Sequence, residues 1–305
     1  MPELPEVETM RRNIERSLIG ERVREYMLTL PHLLRDSPMP TLDPIVGKKL
    51  LKARRRAKVL MIDFEDDLTL AMHAKLAGQI AIIPASGENR LVAGHPFPSP
   101  NGDFPAKMTH LSISFDNGTT LYYSDVRQFG WFRLAPTEEI AGMVKAMNFG
   151  PEGIGENSVD VETLRTGLAR RRIPVKTALL DQKLVAGIGN IYVDEALHRA
   201  KIHPSTPANQ VPDEKLPVLC DAIQWALTEG LRQGGAKVIN TKAYPIDNFP
   251  EVHGREGEPC PVCGTTIIKV RVGQRGTYLC PFCQPLPEGI TPPPPAKAKK
   301  GAVEE

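Results

Sequence analysis

Residues 260–283 read CPVCGTTIIKVRVGQRGTYLCPFC. Two Cys-x2-Cys pairs, Cys260/Cys263 and Cys280/Cys283, stand sixteen residues apart. Pairs at this separation can bring four thiolates to one tetrahedral zinc. Four protein ligands leave no position for water, so such an ion is structural. Its binding supplies on the order of 10–16 kcal/mol, enough to fold a hairpin with almost no core. Four unrelated buried cysteines would not account for the spacing. Two short β-type runs, 266–271 and 276–280, form the ribbon, which carries Lys269, Arg271 and Arg275. Arg275 is expected at the turn, beside Gly273 and Gly276. A guanidinium on a rigid tip suits bidentate contact with phosphate; a solvated turn arginine is the other reading. Cys220 stands alone in a helical stretch and reads as a small core residue.

Outward from this ribbon, the 305-residue chain is long enough for two domains and an appendage. Its 41% apolar and 24% charged residues suit a globular protein. No run of about 18 apolar residues exists, which excludes a membrane-spanning helix. The start MPELPEVETMRR is not a secretory signal, so the default compartment is the cytoplasm, where disulfides are a poor reading of the cysteines. The formal net charge of +2 means that any polyanion partner must be met by local patches.

Val7, Met10, Ile14 and Leu18 recur at helical spacing after Pro5, a residue suited to a first turn. Short β-type runs follow at 22–30, 58–64, 68–73, 79–83, 111–115, 120–124 and 130–134, separated by turn signals. They predict a β-sandwich or barrel. The proline-rich stretches 31–44 and 84–105 read as loops, and 285–305 as a disordered tail. Segments 138–147, 161–170, 176–182, 190–199 and 213–233 read as helices. The fold class is α+β multidomain: a β-sandwich with an N-terminal helix over 1–136, a helical domain over 137–250, a zinc hairpin over 251–284 and a tail over 285–305.

Three further features could carry chemistry. The run KKLLKARRRAK, 48–58, holds seven basic residues and no acid. It reads as a nucleic-acid patch or a solvated face, with Arg55 among its candidate DNA contacts and Lys58 opening the next strand. Residues 185–197, VAGIGNIYVDEAL, place Gly187 and Gly189 before a helix that begins near Asn190. Such a start can face an anion, although a lone Gly-x-Gly is a weak signal. At the N-terminus, trimming of Met1 exposes Pro2 as a secondary amine beside Glu3 and Glu6. An α-amine titrates near 7.7–8.0, about two units below lysine, so a neutral nucleophile is accessible at physiological pH. Attack on a sugar aldehyde carbon gives an iminium electron sink. A plain helix start, with acids serving the dipole, is the alternative.

Taken together, PELPEVET, LLDQKLVAGIGNIYVDEAL and GREGEPCPVCG…RGTYLCPFCQ resemble the formamidopyrimidine-DNA glycosylase family, relatives of endonuclease VIII. The resemblance runs from Pro2 to Gln284. It implies a two-sheet sandwich, a helix–two-turn–helix domain and a zinc β-hairpin. It implies Pro2 as the nucleophile at C1′, Glu3 as the acid/base at sugar ring opening and Glu6 as a supporting carboxylate. Lys58, Asn190 and Arg275 match phosphate-gripping positions, and Lys176 matches a lysine near the lesion. Arg127 and Phe129, with Leu76 where the family usually has methionine, match the wedge that fills the place of an extruded base.

The implied activity is base excision repair by a bifunctional glycosylase and abasic-site lyase. The implied partners are damaged duplex DNA and one structural zinc, and the chain is expected to be a monomer. The N-terminal block favours ring-opened and oxidised purines. The stretch 236–253 is shorter than in enzymes of oxidised guanine, which leaves an oxidised-pyrimidine glycosylase as an alternative. A non-catalytic zinc-hairpin binder of lesions is the other.

Overall fold

The computed structural model describes residues 1–96, 98–99, 101–239 and 242–296. It divides into two compact units, 1–149 with 230–235 and 150–229 with the chain from 236 onward.

The first unit opens with α1 (Leu4–Leu18), whose Val7, Met10, Ile14 and Leu18 form the predicted apolar stripe and are buried. Nine strands follow: β1 (Val23–Leu28), β2 (Leu50–Arg56), β3 (Val59–Phe64), β4 (Leu68–His73), β5 (Gly78–Ile83), β6 (Leu91–Gly94), β7 (Thr109–Phe115), β8 (Thr120–Asp125) and β9 (Trp131–Pro136). They pair antiparallel in two sheets, ordered β1-β7-β8-β5-β6 and β2-β3-β4-β9. Alternation along β3 explains the layering. Leu60, Ile62 and Phe64 enter the core shared with Ile80, Ile113 and Tyr123 of the other sheet. Val59 and Met61 point the opposite way, onto Ile140 of α2 (Thr137–Ala146). Thus α2, which a boundary at 136/137 would give to the helical domain, packs within the first unit.

In the first unit two strands lie where none was expected. β2 sits inside the basic run, because Ala53 and Leu50 bury one face while the charged side chains find partners. Lys58 therefore does not open β3; it lies with Ala57 in the two-residue turn between β2 and β3. β6 forms within the proline-rich stretch 84–105 and closes the edge of the five-stranded sheet against β5.

The second unit contains α3 (Val161–Ala169), α4 (Val175–Leu179), α5 (Asn190–Arg199) and most of α6 (Lys215–Arg232). The short pair β10 (Val238–Ile239) and β11 (Lys242–Ala243) follows, then the hairpin β12 (Ile268–Val272) and β13 (Arg275–Leu279). The tail differs from expectation. Residues 285–296 are described, and Pro295 bridges Val270 of β12; 297–305 lie outside the described residues. No helix among the described residues is long and apolar enough to cross a membrane.

The placement of α1 rests on Glu8. It accepts hydrogen bonds from Arg55 at 3.0 Å and from Arg11 at 2.9 and 3.1 Å. Burial works against the charged carboxylate, but these guanidiniums hold its pKa below the usual 4.5. The stabilisation is thus complete above pH 4.5 and is lost as pH falls through the lower folded value. Replacing Glu8 with Gln should cost about 2 kcal/mol at pH 7, less than for a fully buried pair because water still screens it. Chemical denaturation at pH 7 and pH 3.5 measures this. The difference from the parent chain should shrink at the lower pH.

Candidate nucleic-acid interface and catalytic residues

Glu3 is the N-cap of α1, and a reciprocal capping box joins it to Glu6, whose carboxylate accepts the Glu3 N–H at 2.8 Å. Pro2 is buried, and Glu3 is only 1% exposed. Glu6 is crowded from outside the helix by Gly235, which has φ +110°. A Cβ there would come within 2.8 Å of Glu6 Oε1. The helix start is therefore buried and capped rather than frayed.

Three contacts orient it. The Gly20 N–H donates to the Leu50 carbonyl, Arg11 donates to the Ala53 carbonyl, and Arg55 donates to Glu8. Descending numbers in α1 match ascending numbers in β2, so the two run antiparallel. The Pro2 end consequently points toward the Ala57–Lys58 turn. Ala57 has φ 52° there, and Lys58 is buried. The next residue, Val59, pairs with His73, which pairs with Trp131. Burial lowers the His73 pKa to about 3, with Lys75 and Lys58 adding repulsion, so His73 is neutral.

Just beyond that row, two turns cross side by side from one sheet to the other. The first, 74–77, carries Leu76; the second, 126–130, carries Arg127, Gln128 and Phe129. Both are framed by the His73–Trp131 and Gly78–Asp125 pairings. Leu76 is 37% and Phe129 45% exposed, and the Arg127 guanidinium lies 5.1 Å from the Phe129 ring centroid. Buried Asp125 fastens the second turn by accepting the Arg127 N–H at 3.0 Å, the Gly130 N–H at 2.8 Å and the Tyr123 hydroxyl at 3.2 Å. Gly130 has no room for a side chain, since a Cβ would meet the Tyr123 hydroxyl at 1.9 Å. Sequence reading found Arg127 and Phe129 but missed Asp125 and Gly130, although an Asp–Gly bracket around a turn is a local signal.

Most of the basic run is engaged by acids or carbonyls. Arg54 forks onto Asp63 at 2.5 and 2.7 Å, Lys48 meets Asp66, and Arg56 donates to the Phe149 carbonyl at 3.2 Å. Arg55, expected among the DNA contacts, faces Glu8 and the Ala57 carbonyl. From there it braces the Lys58 turn.

In the second unit the surprise is Lys176. The lysine expected beside a lesion is 0% exposed and bonds to Asp194 at 2.7 Å, Thr277 at 2.8 Å and the Gly276 carbonyl at 3.2 Å. Asn190 donates to the same carbonyl at 3.0 Å. Asp194 also accepts from His253 at 2.7 Å and from the Tyr278 N–H at 3.1 Å. Its neighbour Glu195 accepts the N–H groups of Glu251, Val252 and His253. Burial pushes its pKa up to about 7, although these three donors act in the opposite direction. Sequence reading missed Asp194 and Glu195; an acidic pair directly after Ile191, Tyr192 and Val193 was the available signal.

These bonds anchor the hairpin at Gly276, Thr277 and Tyr278, just past its turn. Gly273 and Gln274 both have positive φ, 52° and 68°, as a two-residue primed turn requires. Gly273 lies against Thr177, which leaves no space for a Cβ. Arg275 pairs with Val272 as the first residue of β13 and is exposed, rather than lying in the turn itself. At the opposite end, Sγ atoms of Cys260, Cys263, Cys280 and Cys283 all lie within 4.8 Å of one another. Cys260–Cys283 is 3.9 Å and Cys263–Cys280 3.4 Å. Tetrahedral thiolates at about 2.3 Å from zinc would be roughly 3.8 Å apart, so the four residues fit one structural zinc.

Family models match three consecutive segments. Residues 1–132 match the formamidopyrimidine-DNA glycosylase N-terminal domain, 149–242 its H2TH domain, and 257–286 the zinc finger found in FPG and IleRS. The formamidopyrimidine-DNA glycosylase of Pelotomaculum thermopropionicum is 37% identical over 290 residues, covering 93% of this chain and 99% of the relative. That of Ligilactobacillus salivarius is 36% identical, covering 93% and 99%. Among solved structures, Lactococcus lactis Fpg bound to DNA containing an abasic site superposes with a TM-score of 0.80. The two sequences are 32% identical, and the match covers 93% of this chain and all of that one. A structure of MutM with DNA containing carbocyclic 8-oxo-G gives 0.79 at 33% identity, covering 93% and 99%. With domain models, relatives and architecture in agreement over nearly its whole length, the chain belongs to the formamidopyrimidine-DNA glycosylase family.

Proposed function

We propose that this chain is a bifunctional DNA glycosylase and abasic-site lyase that removes ring-opened and oxidised purines from duplex DNA. The observation that carries the reading is the buried Pro2-Glu3 start of α1, directed at the Lys58 turn on the sheet end that also exposes Leu76 and Phe129. Once Met1 is removed, the Pro2 nitrogen attacks C1′, the bond to the damaged base breaks, and the proton lost from the proline nitrogen goes to the departing base. Glu3 supplies a proton to O4′ as the sugar ring opens, which leaves an iminium. Loss of a C2′ proton then expels the 3′-phosphate, and a second elimination expels the 5′-phosphate. Glu6 holds Glu3 through the capping box. Lys58 steadies phosphate, while Phe129 and Leu76 fill the gap left by the extruded nucleotide, which lowers the cost of unstacking, a few kcal/mol.

Zinc keeps the hairpin folded and takes no part in these steps. Arg275 grips phosphate. Lys176 and Asn190, both bonded to the Gly276 carbonyl, act through that grip as positioning residues. The bacterial relatives fit a cytoplasmic enzyme, and a monomer is the expected state.

Borohydride reduction during reaction with a duplex containing an abasic site should give a covalent adduct with the trimmed chain. A chain extended ahead of Pro2, whose nitrogen is then an amide, should give none. Adduct formation by the extended chain would place the nucleophile on a lysine and overturn the assignment. The same assay with 8-oxoguanine and ring-opened guanine duplexes tests the purine preference.

Arg275→Ala and Cys280→Ser separate grip from scaffold. The first should keep one zinc per chain, weaken duplex binding by about tenfold and lower the salt slope by about 1. The second should lose the metal and the hairpin with it. Equal zinc content in the two variants would undo this division.

A further inference from the structure

The three family models end at residue 286, so the proline-rich tail lies outside them. In the structure it turns back along the outer edge of β12. The Arg271 N–H donates to the Pro294 carbonyl at 2.8 Å, and the Ala296 N–H donates to the Lys269 carbonyl at 3.3 Å. Pro295 faces Val270 between them in an antiparallel bridge. Lys269 and Arg271 are the residues whose backbone groups point away from β13, because Ile268, Val270 and Val272 alternate with them. The tail thus pairs with the edge of β12 through one antiparallel bridge.

Its sequence fits that place. Residues 291–296 read TPPPPA. Proline fixes φ in an extended range and loses little entropy on ordering, but cannot donate a hydrogen bond. In this register Pro294 is needed only as an acceptor, and the first residue required to donate is Ala296, the first after the four prolines. The prolines also leave the outer rim of the strap without N–H groups, so it cannot template another strand.

The strap completes a clamp. Arg271 pairs with Gly276, so one row across the hairpin runs Pro294, Arg271, Gly276, and the Gly276 carbonyl holds Lys176 and Asn190. An isolated two-stranded hairpin is marginally stable. Here β13 is fixed from the helices and β12 from the tail, with Arg275 immediately beyond the clamped row. We propose that residues 285–296 are a positioning strap that restricts the hairpin tip and so pre-organises Arg275 for phosphate. This rests on the reading of Arg275 as a phosphate grip.

The test compares the full chain with chains ending at Gln284 and at Ala296, each with and without Arg275→Ala. Three readouts are needed: affinity for a duplex with an abasic-site analogue, zinc content and hydrogen exchange at the Arg271 amide. Ending at Gln284 should keep zinc, speed Arg271 exchange and weaken binding roughly two- to tenfold, the range expected when one long side chain loses its pre-organisation. Ending at Ala296 should change none of these. Beside Arg275→Ala, loss of the strap should weaken binding no further.

Unchanged Arg271 exchange, an additive loss with Arg275→Ala, or a loss already complete on ending at Ala296 would each overturn the proposal. Should the shorter chain lose zinc, a full-length chain with Pro292, Pro293, Pro294 and Pro295 changed to Gly takes its place, with the same outcomes on each side. Arg275→Ala binding as tightly as the parent would refute the grip reading by itself, while Arg271 exchange still reports on the strap.

Discussion

The second unit depends on one buried ion pair, Lys176 with Asp194, both fully removed from water. Taking two charges out of water costs several kcal/mol each, and attraction alone does not offset this. The rest comes from completeness. The three protons of Lys176 meet Asp194, Thr277 and the Gly276 carbonyl. The second oxygen of Asp194 takes His253 and the Tyr278 N–H. A one-residue slip of β13 would turn Thr277 away from the ammonium and withdraw the Tyr278 N–H, leaving buried charge unsatisfied. The pair thereby sets the register of the hairpin and hence the place of Arg275. Zinc holds the far end, and it could not fix the tip alone.

The first unit uses the same device with less burial. Glu8, on α1, holds Arg55, on β2, and so sets which way the helix start points. Asp125 holds three donors and so fixes the turn that displays Phe129. In each case a carboxylate donates nothing and accepts several bonds, which makes it suited to fastening turns whose own backbone groups lack ladder partners.

Much of this architecture is legible in the sequence because its signals are local. The cysteine spacing announces the zinc hairpin, the stripe Val7, Met10, Ile14, Leu18 announces α1, and alternation announces β3. What is hidden depends on partners far along the chain. β2 looks like a cationic patch because Glu8 and Asp63, which pair with Arg55 and Arg54, are not adjacent to it. Lys176 is read as a lysine near the lesion through the family resemblance, and nothing near residue 176 reveals Asp194 or Thr277 as its partners. The tail looks disordered because proline lowers apolar content and removes donors, yet an edge strap needs only one N–H, at Ala296. β6 is a four-residue edge strand inside a proline-rich stretch, too short for its alternation to register.

Charge pairing also bears on how such a chain can recognise DNA. With 38 Lys and Arg against 36 Asp and Glu, it has no general excess to attract a polyanion. Within the basic run, Lys48, Arg54 and Arg55 already face acids. Attraction by charge density is therefore weak, and contact must come from a few cations held in fixed positions. Phosphate contacts of that kind set orientation rather than sequence preference. They also make rigidity matter more than number, since a mobile arginine would lose in ordering much of what it gains in pairing. On the proposed reading of Arg275 as a phosphate grip, that accounts for why this exposed guanidinium is backed by a buried ion pair, an asparagine, a glycine packed against a threonine and a metal knuckle.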